Sequence, residues 1–401
     1  MGWLSIPHPE APAQRASKDA LSLTIAAPRP IPGWMKALPA LKPDSEDMLH
    51  LDALRIVGAL MIVVFHFNRY INLDGRWQVA DDMIKGFSLI VDLFFLISGY
   101  VMAAIYTGRL TGWNKYGTFL KKRVARLGPL HWATMLVFVG VWAAGVMGWG
   151  GDVDPKRYDL ACIAPNVLFV HAWHVCHAQT WNFVSWAISA EMGLYIVLPL
   201  LFLITARGPV VTALVAVASF VILLLNPDGP MPFHQWTWNF GVLRAVPGFL
   251  LGMLAFQLRD VLGRLPFARF WMWGLLAVFL VASTLRIERT LLLLIVYALG
   301  LAGVAADAAG TQGGVSRRLA PWAQLSFSLY LLHPIALKMG INWIGVAAWG
   351  LTGDTLRLWV LFWILALIPA AYLSLVLFER PARDWISGLG QKRTLSPRER
   401  D

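Results

Sequence analysis

An arginine and a histidine stand eleven residues apart in "RIVGALMIVVFHFNRY", residues 55–70: Arg55 opens the stretch and His66 breaks its apolar run. On an α-helix that spacing is about three turns and about 16 Å of rise, so the two side chains share nearly one face. An ionisable group in hydrocarbon is costly and generally faces a protein interior or a wet cavity. His66 therefore reads either as part of a site or as a structural histidine bonded to a neighbouring helix, and the residues alone leave both open. Further polar groups interrupt apolar runs: Asp92 in "VDLFFLISGYV", Glu191 in "WAISAEMGLY", and Arg244, His333 and Lys338. Together they imply the polar interior of an enzyme or a transporter. Asp92 is suited to orient a histidine or to pair with an arginine, and a purely structural ion pair fits it equally.

The segment "FLKKRVARLGPLHW" adds a basic cluster, Lys121, Lys122, Arg123 and Arg126. Such a cluster orients a membrane chain and meets lipid headgroups. It also suits phosphate, because lysine offers a point charge and arginine a planar fork. Ser98, in "ISGY", is either a nucleophile or a small residue that lets helices approach. His171, His174 and His177 recur every third residue near Cys162 and Cys176. On a helix they would lie near one face, which makes a metal site conceivable, but no carboxylate completes a clear ligand pattern and a polar interfacial loop with stray histidines is the favoured reading, so no metal is assigned. Both cysteines fall in one long segment, 150–185, expected on the outer side, where an oxidising face makes them a disulfide candidate. No phosphate-binding glycine loop and no GxSxG elbow occurs.

The elements that must position these groups follow from composition. Of 401 residues, 58% are hydrophobic, with 20 Trp and 21 Phe, and the mean hydropathy is +0.60. A soluble domain has nowhere to hide that much apolar surface. Runs such as "VVTALVAVASFVILLL" are continuous rather than alternating, which excludes barrel strands. The expected fold is an all-α polytopic transmembrane helix bundle of about ten spans, near 51–71, 84–107, 127–149, 186–204, 209–226, 241–257, 270–286, 290–306, 322–345 and 355–378. An even number of spans places both termini on one side. Most of the 34 Lys and Arg residues fall in the tails and in loops on that same side, and the opposite loops 227–240 and 346–354 carry none, so both termini are expected in the cytosol. The same distribution explains the net charge of +11 without nucleic acid. Three parts are expected: a Pro-rich, flexible cytosolic tail over 1–48, a membrane domain over 49–386, and a basic cytosolic tail over 387–401. The N-terminal stretch lacks the order of a signal peptide.

Several motifs resemble the acyltransferase-3 family of bacterial membrane O-acyltransferases. "LDALRIVGALMIVVFHF" is similar to that family's opening, in which a histidine follows an arginine by eleven residues, as His66 follows Arg55. "DLFFLISGYV", "FLKKRVARLGPLHW", "WAISAEMGLYIVLPLL", "LSFSLYLLHPI" and "FERPARDWI" resemble its later motifs in order, over about residues 50–386. Ala53 and Ala187 replace the family's usual glycine and serine. No hydrolase-like domain is expected after the last span.

The resemblance implies transfer of an acyl group, usually acetyl, from acyl-CoA to a hydroxyl. Acetyl-CoA would be a donor substrate and no cofactor would be bound permanently. The implied acceptor is a cell-surface carbohydrate, free or lipid-linked, and the implied location is the bacterial inner membrane. His66 would take the hydroxyl proton or receive the acyl group. Arg55, Asp92 and Glu191 complete the expected catalytic set, and Lys121, Arg123 and Arg126 are the expected CoA-binding residues. A small-molecule or lipid acceptor keeps the same chemistry. A proton-coupled transporter is the rival of a different class, with His66, Asp92 and Glu191 as relay groups; it lacks the two related halves common in that class.

Overall fold

A computed structural model describes residues 39–43, 45–71, 75, 77–149, 153–226, 231–310 and 313–389. Of the expected N-terminal tail, everything before residue 39 lies outside the described residues, as does the C-terminal tail beyond Leu389. The chain is helical, and no strand occurs among the described residues. Among the described residues, six stretches are long and apolar enough to cross a bilayer: Glu46–Ile71, Gln78–Tyr106, Trp113–Val146, Arg289–Ala308, Gly314–Ala348 and Gly353–Gly388. A seventh, Phe183–Ile196 with Leu198–Thr205, bends by 59°. The bend has a local cause. Pro199 lies in the first turn of the second piece and has no N–H to return to the preceding turn. Three shorter apolar helices are Pro209–Leu224, Gly241–Gln257 and Ala268–Thr284. Each of the ten apolar runs read from the sequence coincides with one of these elements.

Eight helices carry the site: α1 (Leu49–Ile71), α2 (Ile90–Tyr106), α3 (Trp113–Val146), α4 (Trp186–Ile196), α5 (Gly241–Gln257), α6 (Arg289–Ala308), α7 (Ser326–Ile335) and α8 (Arg380–Gly388). Lipid chains are as apolar as leucine, so helices in a membrane associate through close packing and polar contacts rather than through the hydrophobic effect. Helices α2 and α5 show both. A Cβ on Gly99 would lie 2.0 Å from the Phe249 carbonyl oxygen, and one on Gly252 would lie 2.0 Å from that of Leu96. Only glycine permits backbones to approach so closely. Between the same helices, Arg244 grips Asp92 with two parallel bonds of 2.7 and 3.2 Å.

Helix α1 is fixed at both ends. At its start, Asp307 of α6 accepts from the backbone N–H of His50 at 2.8 Å and of Leu51 at 3.0 Å, and lies 2.9 Å from His50 Nδ1. A carboxylate satisfying free N–H groups at a helix N-terminus is favourable both as a cap and against the helix dipole. At its end, the Ile71 carbonyl accepts from Arg357 Nε at 2.9 Å. The segment before α4 is held by a Cys162–Cys176 disulfide. Within it, Asn182 donates to Thr134 Oγ1 at 3.0 Å and to the Leu331 carbonyl at 3.1 Å, tying the segment to α3 and α7. That tether brings the next residue, Phe183, to 5.1 Å from the His66 ring.

Candidate active site

His66 has a partner that is remote in sequence. Its Nδ1 lies 2.9 Å from the Ile62 carbonyl one turn back and 3.2 Å from Nε2 of His333 on α7. Nδ1 of His333 in turn lies 3.1 Å from the Leu329 carbonyl. A carbonyl only accepts, so each Nδ1 is assigned the ring proton. His333 Nε2 then carries a lone pair and accepts from His66 Nδ1–H. What remains on His66 is the lone pair of Nε2, on a ring oriented by two acceptors. His333 is fully buried, whereas His66 is half-buried among Phe65, Phe183 and His333. An oriented ring with a free lone pair is what a general base requires.

A cavity of about 530 Å³ opens nearer the start of α1. Its walls are mostly apolar, from residues such as Phe94, Phe95 and Met102, and its polar groups are concentrated. Arg55 enters it paired with Asp52 at 2.9 Å. Ser98 Oγ donates to Glu191 Oε1 at 2.7 Å and lies 3.0 Å from the Tyr195 hydroxyl, which also donates to Glu191. Arg123 donates from Nη2 to the Tyr106 hydroxyl at 3.0 Å, and its guanidinium lies 5.5 Å from the Tyr106 and Phe119 ring centres and 5.7 Å from that of Tyr195. Aromatic faces stabilise the cation without neutralising it. Arg126, one turn along α3, lines the same cavity.

Residues 48–379 match the acyltransferase-3 family, described as an acyltransferase domain. The chain belongs to that family. Among known relatives, the acyltransferase MdmB of Streptomyces mycarofaciens is 25% identical over 293 residues, 64% of this chain and 70% of that protein. Protein 2 in the picA locus of Rhizobium radiobacter is 39% identical over 87 residues, 21% of this chain and 41% of that protein. A protein of Staphylococcus aureus strain COL that carries an O-acetyltransferase name is 25% identical over 162 residues, 38% of this chain and 24% of that protein. The chain thus spans less than half the length of the last two. No solved structure matches.

In this membrane acyltransferase, the expected site residues divide into four groups. Arg55, Glu191, Arg123 and Arg126 line one cavity. His66 does not line it. Tyr330 does, and its ring lies 5.9 Å from that of His333, so one side chain contacts both the cavity and the histidine pair. Asp92 lies apart, fully buried against Arg244, whose Nη1 also donates to the Trp236 carbonyl at 3.2 Å and whose guanidinium sits 5.0 Å from the Trp186 ring centre. Lys121 is turned to α8, where it donates to the Ser387 carbonyl at 3.0 Å and to that of Leu389.

The three histidines of the loop do not converge. His171 is buried, 3.0 Å from Ser185 Oγ and stacked on His131, and its pKa is pulled down to about 3 by burial and by that neighbour. His174 stacks on Phe240 and Trp238. Sequence reasoning gave no role to His333 or Tyr195. Tyr195 was detectable as the residue four after Glu191, on the same helical face. For His333 the signals were its position inside an apolar run and within the motif "LSFSLYLLHPI".

Proposed function

We propose that this acyltransferase moves an acyl group, acetyl by the resemblance, from cytosolic acyl-CoA to a hydroxyl of a cell-surface carbohydrate, free or lipid-linked. The observation that carries the reading is the His66–His333 pair inside the helix bundle, which leaves one oriented imidazole lone pair, near a cavity whose lining gathers Arg55, Arg123 and Arg126. A hydroxyl is a poor nucleophile at neutral pH. As its oxygen attacks the thioester carbonyl, His66 Nε2 takes its proton. The Nδ1–H of the resulting imidazolium is held by the Ile62 carbonyl and by His333 Nε2. The tetrahedral adduct then collapses with cleavage of the C–S bond, and the proton passes from His66 to the departing thiolate. An ester and free CoA thiol result. The thioester would come from the cavity along Tyr330, with donor phosphates at the arginine end.

The setting follows the same logic. If the bent pair and the three shorter apolar helices all span, the helices number ten and both ends of the chain lie on the arginine-rich side, which the positive-inside rule places in the cytosol of a bacterial inner membrane. Residues 49–386 form the membrane domain in this reading. The test is transfer of labelled acetyl from acetyl-CoA by the purified protein in detergent, with extracted surface polysaccharide as acceptor. His66→Ala is expected to lose about two to four orders of magnitude in rate while eluting as a folded protein. Near wild-type turnover in that variant sinks the role of His66. Label appearing in a lipid or small-molecule fraction of lysate, and not on intact cells, would move the acceptor away from the surface.

A further inference from the structure

The first turn of α8, with Arg126 of α3 and Phe327 of α7, encloses a cleft of about 320 Å³ lined by Arg126, Gln324, Phe327, Glu379, Arg380 and Arg383. Arg126 and Phe327 line the large cavity as well, so the two spaces adjoin at those side chains. We propose that this cleft is the subsite for the phosphorylated nucleotide end of the acyl-CoA donor, with Arg380 and Arg383 as phosphate-binding residues alongside Arg126. The proposal rests on the acyl-CoA reading above and adds two residues from the opposite end of the sequence.

The charge state of the cleft supports a polyanion. Arg380 Nη2 donates to Gln324 Oε1 at 2.7 Å, so a neutral amide orients this guanidinium without cancelling its charge. The partner of Arg383 is Asp384, 3.5 Å away, and these side chains are 44% and 75% exposed. A contact of that kind contributes little and is easily exchanged. The one carboxylate facing the cleft, Glu379, is buried, and its Oε1 accepts from Ser328 at 2.5 Å and from Ser374 at 2.7 Å. The guanidinium groups of Arg126, Arg380 and Arg383 outnumber the carboxylates of Glu379 and Asp384. Arg380 and Arg383 are three residues apart and face the same side of α8.

Coenzyme A carries a ribose 3′-phosphate and a diphosphate on one small nucleotide, and arginine forks match such oxygens better than lysine does. From this cleft the pantetheine arm would pass Arg126 and Phe327 into the apolar cavity. The shared chemistry also fits anionic lipid headgroups, so the test separates the two sources. The probe is adenosine 3′,5′-bisphosphate, titrated against the purified full chain in nanodiscs of neutral phosphatidylcholine. Kinetics are compared for acetyl-CoA and for S-acetylpantetheine, which lacks the nucleotide.

Arg383→Gln is expected to weaken bisphosphate binding roughly ten- to a hundredfold and to raise the KM for acetyl-CoA by a like factor, while the KM for S-acetylpantetheine stays at the wild-type value. Arg383→Lys, which keeps the charge and loses the fork, should fall between. Wild-type bisphosphate affinity in both variants overturns the subsite. An equal loss with both thioesters overturns it too, since the residue would then act on the fold or the chemistry. If the Arg383→Gln defect appears only in nanodiscs of phosphatidylglycerol, the cleft holds lipid headgroups and the proposal fails. A wild-type protein that transfers from neither thioester counts against the acyl-CoA reading itself, whereas one that transfers normally while its variants bind like wild type counts against the cleft alone.

Discussion

At the scale of single residues, the informative feature is that His66 is oriented by His333 and not by a carboxylate. A carboxylate partner would fix the ring and neutralise the imidazolium. A neutral imidazole fixes the ring and offers only an acceptor. His333→Ala is therefore expected to lower kcat about ten- to a hundredfold with little change in the KM for acetyl-CoA, and His333→Gln, whose side-chain oxygen can still accept from Nδ1–H, should recover part of that loss. A KM increase without a kcat decrease would assign His333 to donor binding instead. Arg123 belongs to the other end of the site. Its guanidinium is held among tyrosine and phenylalanine rings and lines the cavity. Arg123→Ala should weaken acetyl-CoA binding roughly ten- to a hundredfold, as read by titration of the purified variant, with His66→Ala as a comparison that still binds. Unchanged donor affinity would leave Arg123 with an orienting role only.

At the scale of elements, the pair of α2 and α5 shows why an ionisable residue in a membrane helix need not be catalytic. Asp92 and Arg244 satisfy each other in a bidentate contact, away from the cavity, where the two backbones are brought together by Gly99 and Gly252. Removing one member strands a buried charge, which typically costs about 3–5 kcal/mol, whereas replacing both with apolar residues of similar volume is often neutral. Asp92→Leu alone is therefore expected to lower the melting temperature of the solubilised protein markedly, and Asp92→Leu with Arg244→Met to restore most of it together with acyl transfer. If the double variant regains stability but remains inactive, Asp92 or Arg244 takes part in the reaction beyond holding the helices.

At the scale of the whole molecule, the two ends of the bundle differ chemically. The end bearing Arg55, Arg126, Arg380 and Arg383 holds the large cavity and the cleft that adjoins it, while the disulfide-linked segment before α4 follows the far end of α3. Disulfides persist in oxidising compartments. After mild reduction, Cys162 and Cys176 are expected to react with a membrane-impermeant maleimide in intact spheroplasts. Labelling that requires permeabilisation would invert the topology and move the arginine end out of reach of cytosolic CoA. Closing a loop across a sequence separation of 14 contributes about 3 kcal/mol in the chain-entropy account. Reduction should accordingly loosen the segment that carries Phe183 to His66, and lower activity without abolishing the fold.

What the sequence determined by itself was whatever a single helix encodes. Continuous apolar runs marked the helices, because a span must be apolar along its whole length. The interval between Arg55 and His66 placed them along one helix. The order of motifs identified the family, which the match over residues 48–379 bears out. Tertiary structure decided which faces meet. His66 and His333 are separated by 267 residues and Asp92 and Arg244 by 152, and no local periodicity records such a pairing. It also divided a cluster that looked uniform in sequence: Lys121 turns to the carbonyls of α8, while Arg123 and Arg126, two and five residues on, face the cavity. The physical reason is that a helix fixes the direction of each side chain about its own axis, but the partner in that direction is set by the packing of every other helix.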